Sequence, residues 1–191
     1  FQGWNDMVAS GTYPNRDNPG GYDAYTDCLA HFIRDARKDL KAPKMKFVIG
    51  VMGVGGPLDK YASPRYVPIH GNFRNAMAAP AEMPEFKGNV FAVRTAKFWD
   101  MRLKELEDKQ TQVKQMAGFL KSKHQEHANR DGSMSAADQK EYLEKYRKKL
   151  ISEEEEAYAQ IARSNGGYHY YGSAKTMAQI GKAFAEALVG K

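Results

Sequence analysis

KFVIGVM, residues 46–52, is a short apolar run rich in β-branched residues. Such a run suits a strand covered on both faces, as in a parallel sheet. NVFAVRTA, residues 89–96, reads as a second strand of the same kind. Between them lie a Gly/Pro-rich loop, residues 53–68, and a helical stretch, residues 69–79, stopped by Pro80 and Pro84. Upstream, residues 22–40 carry Tyr22, Tyr25, Cys28, Leu29, Phe32, Ile33, Ala36 and Leu40 at helical spacing, and Pro43 closes them. Residues 11–21 are rich in Gly, Pro, Asn and Asp and read as a loop, and the chain opens at Phe1 on what reads as the end of another strand. The order strand–helix–strand–helix–strand predicts parallel crossovers and a doubly wound α/β sheet.

Residues 99–163 depart from this alternation. They are long, charged and helical in period, with one break at Asn129-Arg-Asp-Gly-Ser133. Ser135 followed by Asp138 reads as a capping-box restart, with Asp in place of the usual Glu or Gln. The expectation is a helical hairpin inserted between the last strand and the C-terminal segment. Its charges nearly balance, which favours a solvated arm or a packing surface. Such an arm could dock a partner in a larger assembly or a second copy. Met177, Ile180, Phe184 and Leu188 then mark the core face of a final helix.

The chain has 191 residues, 42% of them hydrophobic and 27% charged, enough for one domain with a proper core. No apolar run is long enough to span a bilayer. The net charge is +6, but Lys and Arg are dispersed among Glu and Asp. No aromatic-rich basic motif supports nucleic-acid binding. Cys28 is the single cysteine, so no internal disulfide can form, and its place among apolar helical positions predicts a buried, inert thiol.

Gly3-Trp4-Asn5-Asp6 stands where a strand would run into a loop. In doubly wound sheets, ligands bind beyond the carboxyl ends of the strands. Gly allows close backbone approach and Asn carries an uncharged side-chain donor, the two properties an oxyanion site needs. His169 lies in Gly166-Gly-Tyr-His-Tyr-Tyr-Gly172, just before the last helix, where a general base could reach the same edge. Gly50, Gly53, Gly55 and Gly56 do not form the dinucleotide spacing, and Pro57 and Pro64 intervene. That loop reads instead as a site rim, with Tyr61, Arg65 and Tyr66 as sugar contacts. The stretch from His127 to Asp138 has an EF-hand outline, but His and Asp hold the end positions. It reads as a hairpin turn. His31, His70, His124 and His127 read as structural or surface residues, and no metal centre is expected. Glu153 to Glu156 reads as a solvated helix face rather than a carboxylate pair for glycoside chemistry.

FQGWND, FVIGVMGVGG with Ser63-Pro-Arg-Tyr66 downstream, GNVFAVRTAKFWD and GGYHYYGSAKTMAQIGKAFAEAL together resemble the sialate O-acetylesterase-like branch of the SGNH hydrolases. The resemblance covers nearly the whole chain apart from the middle of the helical hairpin. It implies a three-layer α/β/α fold, of the flavodoxin-like kind, and a serine esterase acting on O-acetylated carbohydrates without a cofactor. It implies Gly3 and Asn5 in the oxyanion hole and His169 as base. It also implies an extracytoplasmic location.

Two positions depart from the family pattern. Residues 1–191 hold no counterpart of its Gly-Asp/Gln-Ser nucleophile block, and no G-x-S-x-G elbow. The family's Asp three residues before the His is Gly166 here. The expectation is therefore an incomplete SGNH-like domain whose serine lies in an N-terminal portion of the same protein. Residues 1–191 alone are expected to be inactive and poorly stable, with an apolar sheet edge exposed. The alternative is a non-catalytic glycan-binding or scaffold protein that keeps the esterase fold.

Overall fold

A computed structural model describes residues 2–190. In chain order the elements are α1 (Trp4–Val8), α2 (Asp23–Asp39), β1 (Phe47–Val51), α3 (Tyr66–Ala78), β2 (Val90–Arg94), α4 (Met101–Lys121), α5 (Ala136–Leu150), α6 (Glu153–Ala162) and α7 (Ala174–Val189). They form two compact units, Phe1–Trp99 with Gly166–Lys191, and Asp100–Asn165. No helix among the described residues is long and apolar enough to cross a membrane.

The first unit is mixed α/β. β1 and β2 pair in parallel, with Phe47 opposite Val90 and Val51 opposite Arg94, and α3 makes the crossover between them. Among the described residues the sheet has these two strands, fewer than the alternating pattern predicts. The strand expected at the N-terminus falls on Phe1, outside the described residues, and Trp4 to Val8 form a short helix instead of a loop. α3 and α7 each pack along both strands, and α2 packs on α3. Ile49, Val51 and Val90 are buried accordingly.

The buried stripe of α2 runs Tyr22, Ala30, Ile33, Arg37, with Thr26 between, at steps of three and four. Arg37 belongs to it because its stem is apolar. Its head donates to Met45 O at 2.9 Å and to Asn89 Oδ1 at 2.5 Å, and it lies over the Phe86 ring. Cys28 is exposed rather than buried, and Phe32 is 58% exposed, because the face that meets α3 is turned away from both. α7 shows a similar rotation. Ile180 and Thr176 are buried, while Met177 and Leu188 are exposed. A 16-residue helix is about 24 Å long. A five-residue strand spans roughly 17 Å, so the sheet leaves part of the helix uncovered.

The second unit is all helical. α4 packs against α5 and α6. Asp100 caps α4 by accepting from the Leu103 N–H, and its other oxygen accepts from the Tyr158 hydroxyl at 2.6 Å. Ser135 and Asp138 form the reciprocal capping box that opens α5. A second box, Ser152 with Glu155, opens α6, so the helical stretch breaks twice rather than once. The acidic run Glu153 to Glu156 is the first turn of that helix, where carboxylates suit the helix dipole. Asn129 is buried in the turn before α5, donating to Leu120 O and accepting from the Met134 N–H. Asp131 accepts from both the N–H and the hydroxyl of Ser133. His127 stacks on Phe119 with ring centroids 4.3 Å apart.

Candidate functional site

Gly3 begins the site. Its φ is +147°, a region that L side chains rarely adopt, and a Cβ there would stand 2.7 Å from Phe73 Cζ. Only glycine lets the backbone pass this close to the core. Gly3 caps α1, and its carbonyl accepts from the Met7 N–H at 2.9 Å. Three side chains from downstream hold the segment. Tyr25 donates to Gln2 O at 2.9 Å, Tyr22 donates to Met7 O at 2.7 Å, and Arg16 donates to Val8 O at 2.5 Å. Burial pushes both tyrosine pKa values up to about 12, so each hydroxyl keeps the proton it donates.

At the other end of the chain, His169 sits in a 3₁₀ segment, Gly167–Gly172, whose backbone is unusual. Tyr170 and Tyr171 both have positive φ, 52° and 59°. Two consecutive non-glycine residues in this region cost on the order of 1–3 kcal/mol each, and such conformations persist where surroundings over-determine them. Here they do. Tyr170 and Tyr171 are buried and pack on Trp99, with ring centroids 5.5 and 4.8 Å away. The Tyr170 hydroxyl accepts from the Gly53 N–H at 2.6 Å and shares a 2.7 Å hydrogen bond with Thr95 Oγ1. Thr95 in turn donates to Val51 O at 2.8 Å. The His-bearing segment is thus tied to the carboxyl ends of both strands. Tyr168, beside His169, is 55% exposed.

These two ends of the chain meet around one cavity of about 600 Å³. Gly3, Asn5 and His169 line it together, with Gly50, Met52 and Val54 from the end of β1 and the loop after it. That volume lies inside the rough 300–1,000 Å³ range of small-molecule pockets. Met77 and Met177 supply apolar wall, and Trp4 and Tyr168 supply aromatic rings whose centroids are 6.4 Å apart. Trp4 and Tyr168 lie inside the two quoted segments, but nothing in those segments marks them as cavity wall, and the methionines belong to no motif. No Ser, Thr or Cys stands among the lining residues. A Cβ on Gly166 would lie 3.0 Å from Tyr168 Cε1. A larger side chain there would have to displace that ring.

Tyr61, Arg65 and Tyr66 are not among the residues lining this cavity. The Tyr61 hydroxyl is engaged inside the fold. It donates to Val54 O at 2.9 Å, meets His70 Nδ1 at 2.7 Å and accepts from Arg74 Nη2 at 3.0 Å. Arg74 Nη2 also donates to Val54 O. Burial, reinforced by Arg74, pulls the His70 pKa down to about 4, so the ring is neutral at neutral pH. Arg65 is exposed, with its guanidinium 6.0 Å from the Tyr66 ring centroid, and Tyr66 is 48% exposed. Among the described residues no cluster of three or more His, Cys, Asp or Glu side chains could hold a metal ion.

No protein-family model, curated protein or solved structure matches the chain.

Proposed function

We propose that this chain forms the larger part of a carbohydrate O-acetylesterase of the SGNH type. One observation carries the reading: Gly3, Asn5 and His169, from opposite ends of the sequence, line one cavity at the carboxyl end of β1. In this reading β1 and β2 belong to a three-layer α/β/α doubly wound sheet, with α3 and α7 as its flanking layers, completed by strand outside the described residues. The serine nucleophile comes from outside them too, because the cavity wall holds no Ser, Thr or Cys.

The chemistry follows from the groups present. His169 takes the serine proton as the serine oxygen attacks the acetyl carbonyl. The Gly3 N–H and the Asn5 side-chain amide donate to the oxyanion of the tetrahedral intermediate. The protonated imidazole then returns its proton to the departing sugar oxygen. Water, deprotonated by the same His169, releases acetate and restores the serine. With glycine at position 166, no carboxylate from that position orients the ring. Trp4 and Tyr168 offer aromatic faces on which a sugar ring can rest. The absence of Ser, Thr and Cys among the lining residues also favours a second reading, a glycan-binding protein that keeps the cavity without turnover.

Acetate release from O-acetylated sugars by the native protein separates the two. The expected result is turnover that His169→Ala abolishes and that Asn5→Ala lowers by roughly 10²–10³-fold, the usual cost of one oxyanion donor. Sugar binding without acetate release, or turnover indifferent to both substitutions, would overturn the esterase reading.

A further inference from the structure

A second, smaller hollow of about 170 Å³ lies at the carboxyl ends of the strands, lined by Val51 and Met52, by Arg94, Thr95 and Ala96, and by Leu58, Gly71, Arg74 and Asn75. Arg74 is its distinctive member. The side chain projects from the middle of α3 and the residue is only 6% exposed. Its Nη2 is spent on Val54 O and Tyr61 Oη. Among the described residues no Asp or Glu lies within ion-pair distance of it, and its Nε and Nη1 have no hydrogen-bond acceptor, although neither atom is fully buried. A buried guanidinium without a counter-ion is costly, and proteins otherwise pair or neutralise such groups. A guanidinium does not escape by losing its proton.

The neighbouring charge sharpens the point. Arg94, the last residue of β2, lines the same hollow and has no carboxylate partner among the described residues. It donates instead to Asn75 Oδ1 at 3.3 Å, which leaves the amide nitrogen of Asn75 as a further donor. Burial pulls the Arg74 pKa down against the opposing pull of Tyr61 and Tyr170, and the nearby Arg94 adds a smaller lowering. Two cations that line one hollow beside an amide and an apolar wall complement an anion in charge. The volume corresponds to about six waters, room for one small oxyanion.

We propose that this hollow binds a small oxyanion, a carboxylate or a phosphate group, between Arg74 and Arg94 with Asn75 as a third donor. Guanidinium forks match both groups through paired N–H···O bonds. The site is separate from the Gly3, Asn5 and His169 cavity and does not rest on the esterase reading. The two share Met52 in their walls, so an anion here would sit beside whatever the larger cavity holds.

The test follows the side-chain Nε–Hε resonances of ¹⁵N-labelled full chain during titration with sodium acetate and with inorganic phosphate, at constant ionic strength set by chloride. The expected result is a saturable shift of the Arg74 signal with at least one of the two, and the tighter binder identifies the group. Arg94→Gln, at an exposed position that should fold normally, is expected to weaken binding about tenfold or more, as loss of a charge-assisted pair requires. No saturable shift with either anion would overturn the proposal. So would equal affinity in wild type and Arg94→Gln.

Discussion

The unit that holds the cavity and the all-helical unit are stabilised by different means. In the first, several buried polar side chains are held by specific partners. Thr95 bonds Val51 and Tyr170, Thr176 bonds Phe98 O, and Arg37 bonds Met45 and Asn89. Aromatic rings fill the spaces between, with Tyr13, Tyr22 and Phe73 in sequence at about 5 Å. In the second, order comes mainly from rules local to a helix. Two capping boxes start α5 and α6, and ion pairs such as Lys145–Glu141 lie on exposed faces. Exposed pairs of that kind contribute little, whereas an unmade buried bond costs much. The lesson is that substitution should be far more damaging in the unit that shapes the cavity, even at residues remote from any reacting atom.

Gly53→Ala should break that unit most severely. A Cβ at this position would lie 2.5 Å from Ala96 Cα and from the Thr95 carbonyl carbon, both backbone atoms that cannot swing away. The same residue gives its N–H to Tyr170, so a shift here also moves the His169 segment. A loss of about 3 kcal/mol or more is expected, read as a fall in the urea midpoint at unchanged slope. A loss below about 1 kcal/mol would mean that the strand ends are loosely held.

His70 makes the contrast visible through pH. Its folded pKa is about 4, lowered by burial and then by Arg74, against an ordinary value of 6.5. Above pH 6.5 the ring is neutral in both states and its contribution is constant. As pH falls from 6.5 towards 4, the unfolded chain takes up a proton that the folded chain refuses, so stability declines. The full effect is on the order of 2–3 kcal/mol. Urea midpoints measured from pH 7 to 4.5 should show this slope, and His70→Gln should flatten it. A wild-type slope that survives the substitution would assign it to other groups.

Ser152→Ala tests the helical unit and should be the mildest change. It removes the acceptor that caps the Glu155 N–H at the start of α6, worth about 1 kcal/mol. Hydrogen exchange should quicken in the first turn of α6, with no change at Gly3 or at residues 166–172. Global unfolding from this single cap would contradict the contrast.

Much of the first unit is legible in the sequence because its signals are local. The β-branched runs at residues 46–52 and 89–96 contain Phe47–Val51 and Val90–Arg94, and the helical spacing of residues 22–40 contains Asp23–Asp39. α3 begins at Tyr66, earlier than the expected residue 69, because Pro68 falls in its first turn, where no intrahelical N–H bond is lost. The second break in the helical stretch carries a readable sign, Ser152 followed by Glu155, but the run of four Glu reads as one solvated face. The faces of α2 and α7 are less legible, since apolar residues occur around much of each helix and only the neighbours decide which are covered. In the candidate site, Gly3, Asn5 and His169 stand out by residue type. Trp4, Tyr168 and Arg74 do not, because an aromatic wall and a buried unpaired cation exist only once distant segments are brought together.

In the proposed reading, an acyl group reacts in the cavity of Gly3, Asn5 and His169. Labelling the native protein with a fluorophosphonate probe, followed by mass mapping of the adduct, tests it most directly. The predicted result is a single labelled serine outside residues 2–190, in the same or a companion polypeptide, with labelling lost in His169→Ala. Absence of any adduct, with the upstream segment shown to be present, would contradict the account and leave the glycan-binding reading in its place.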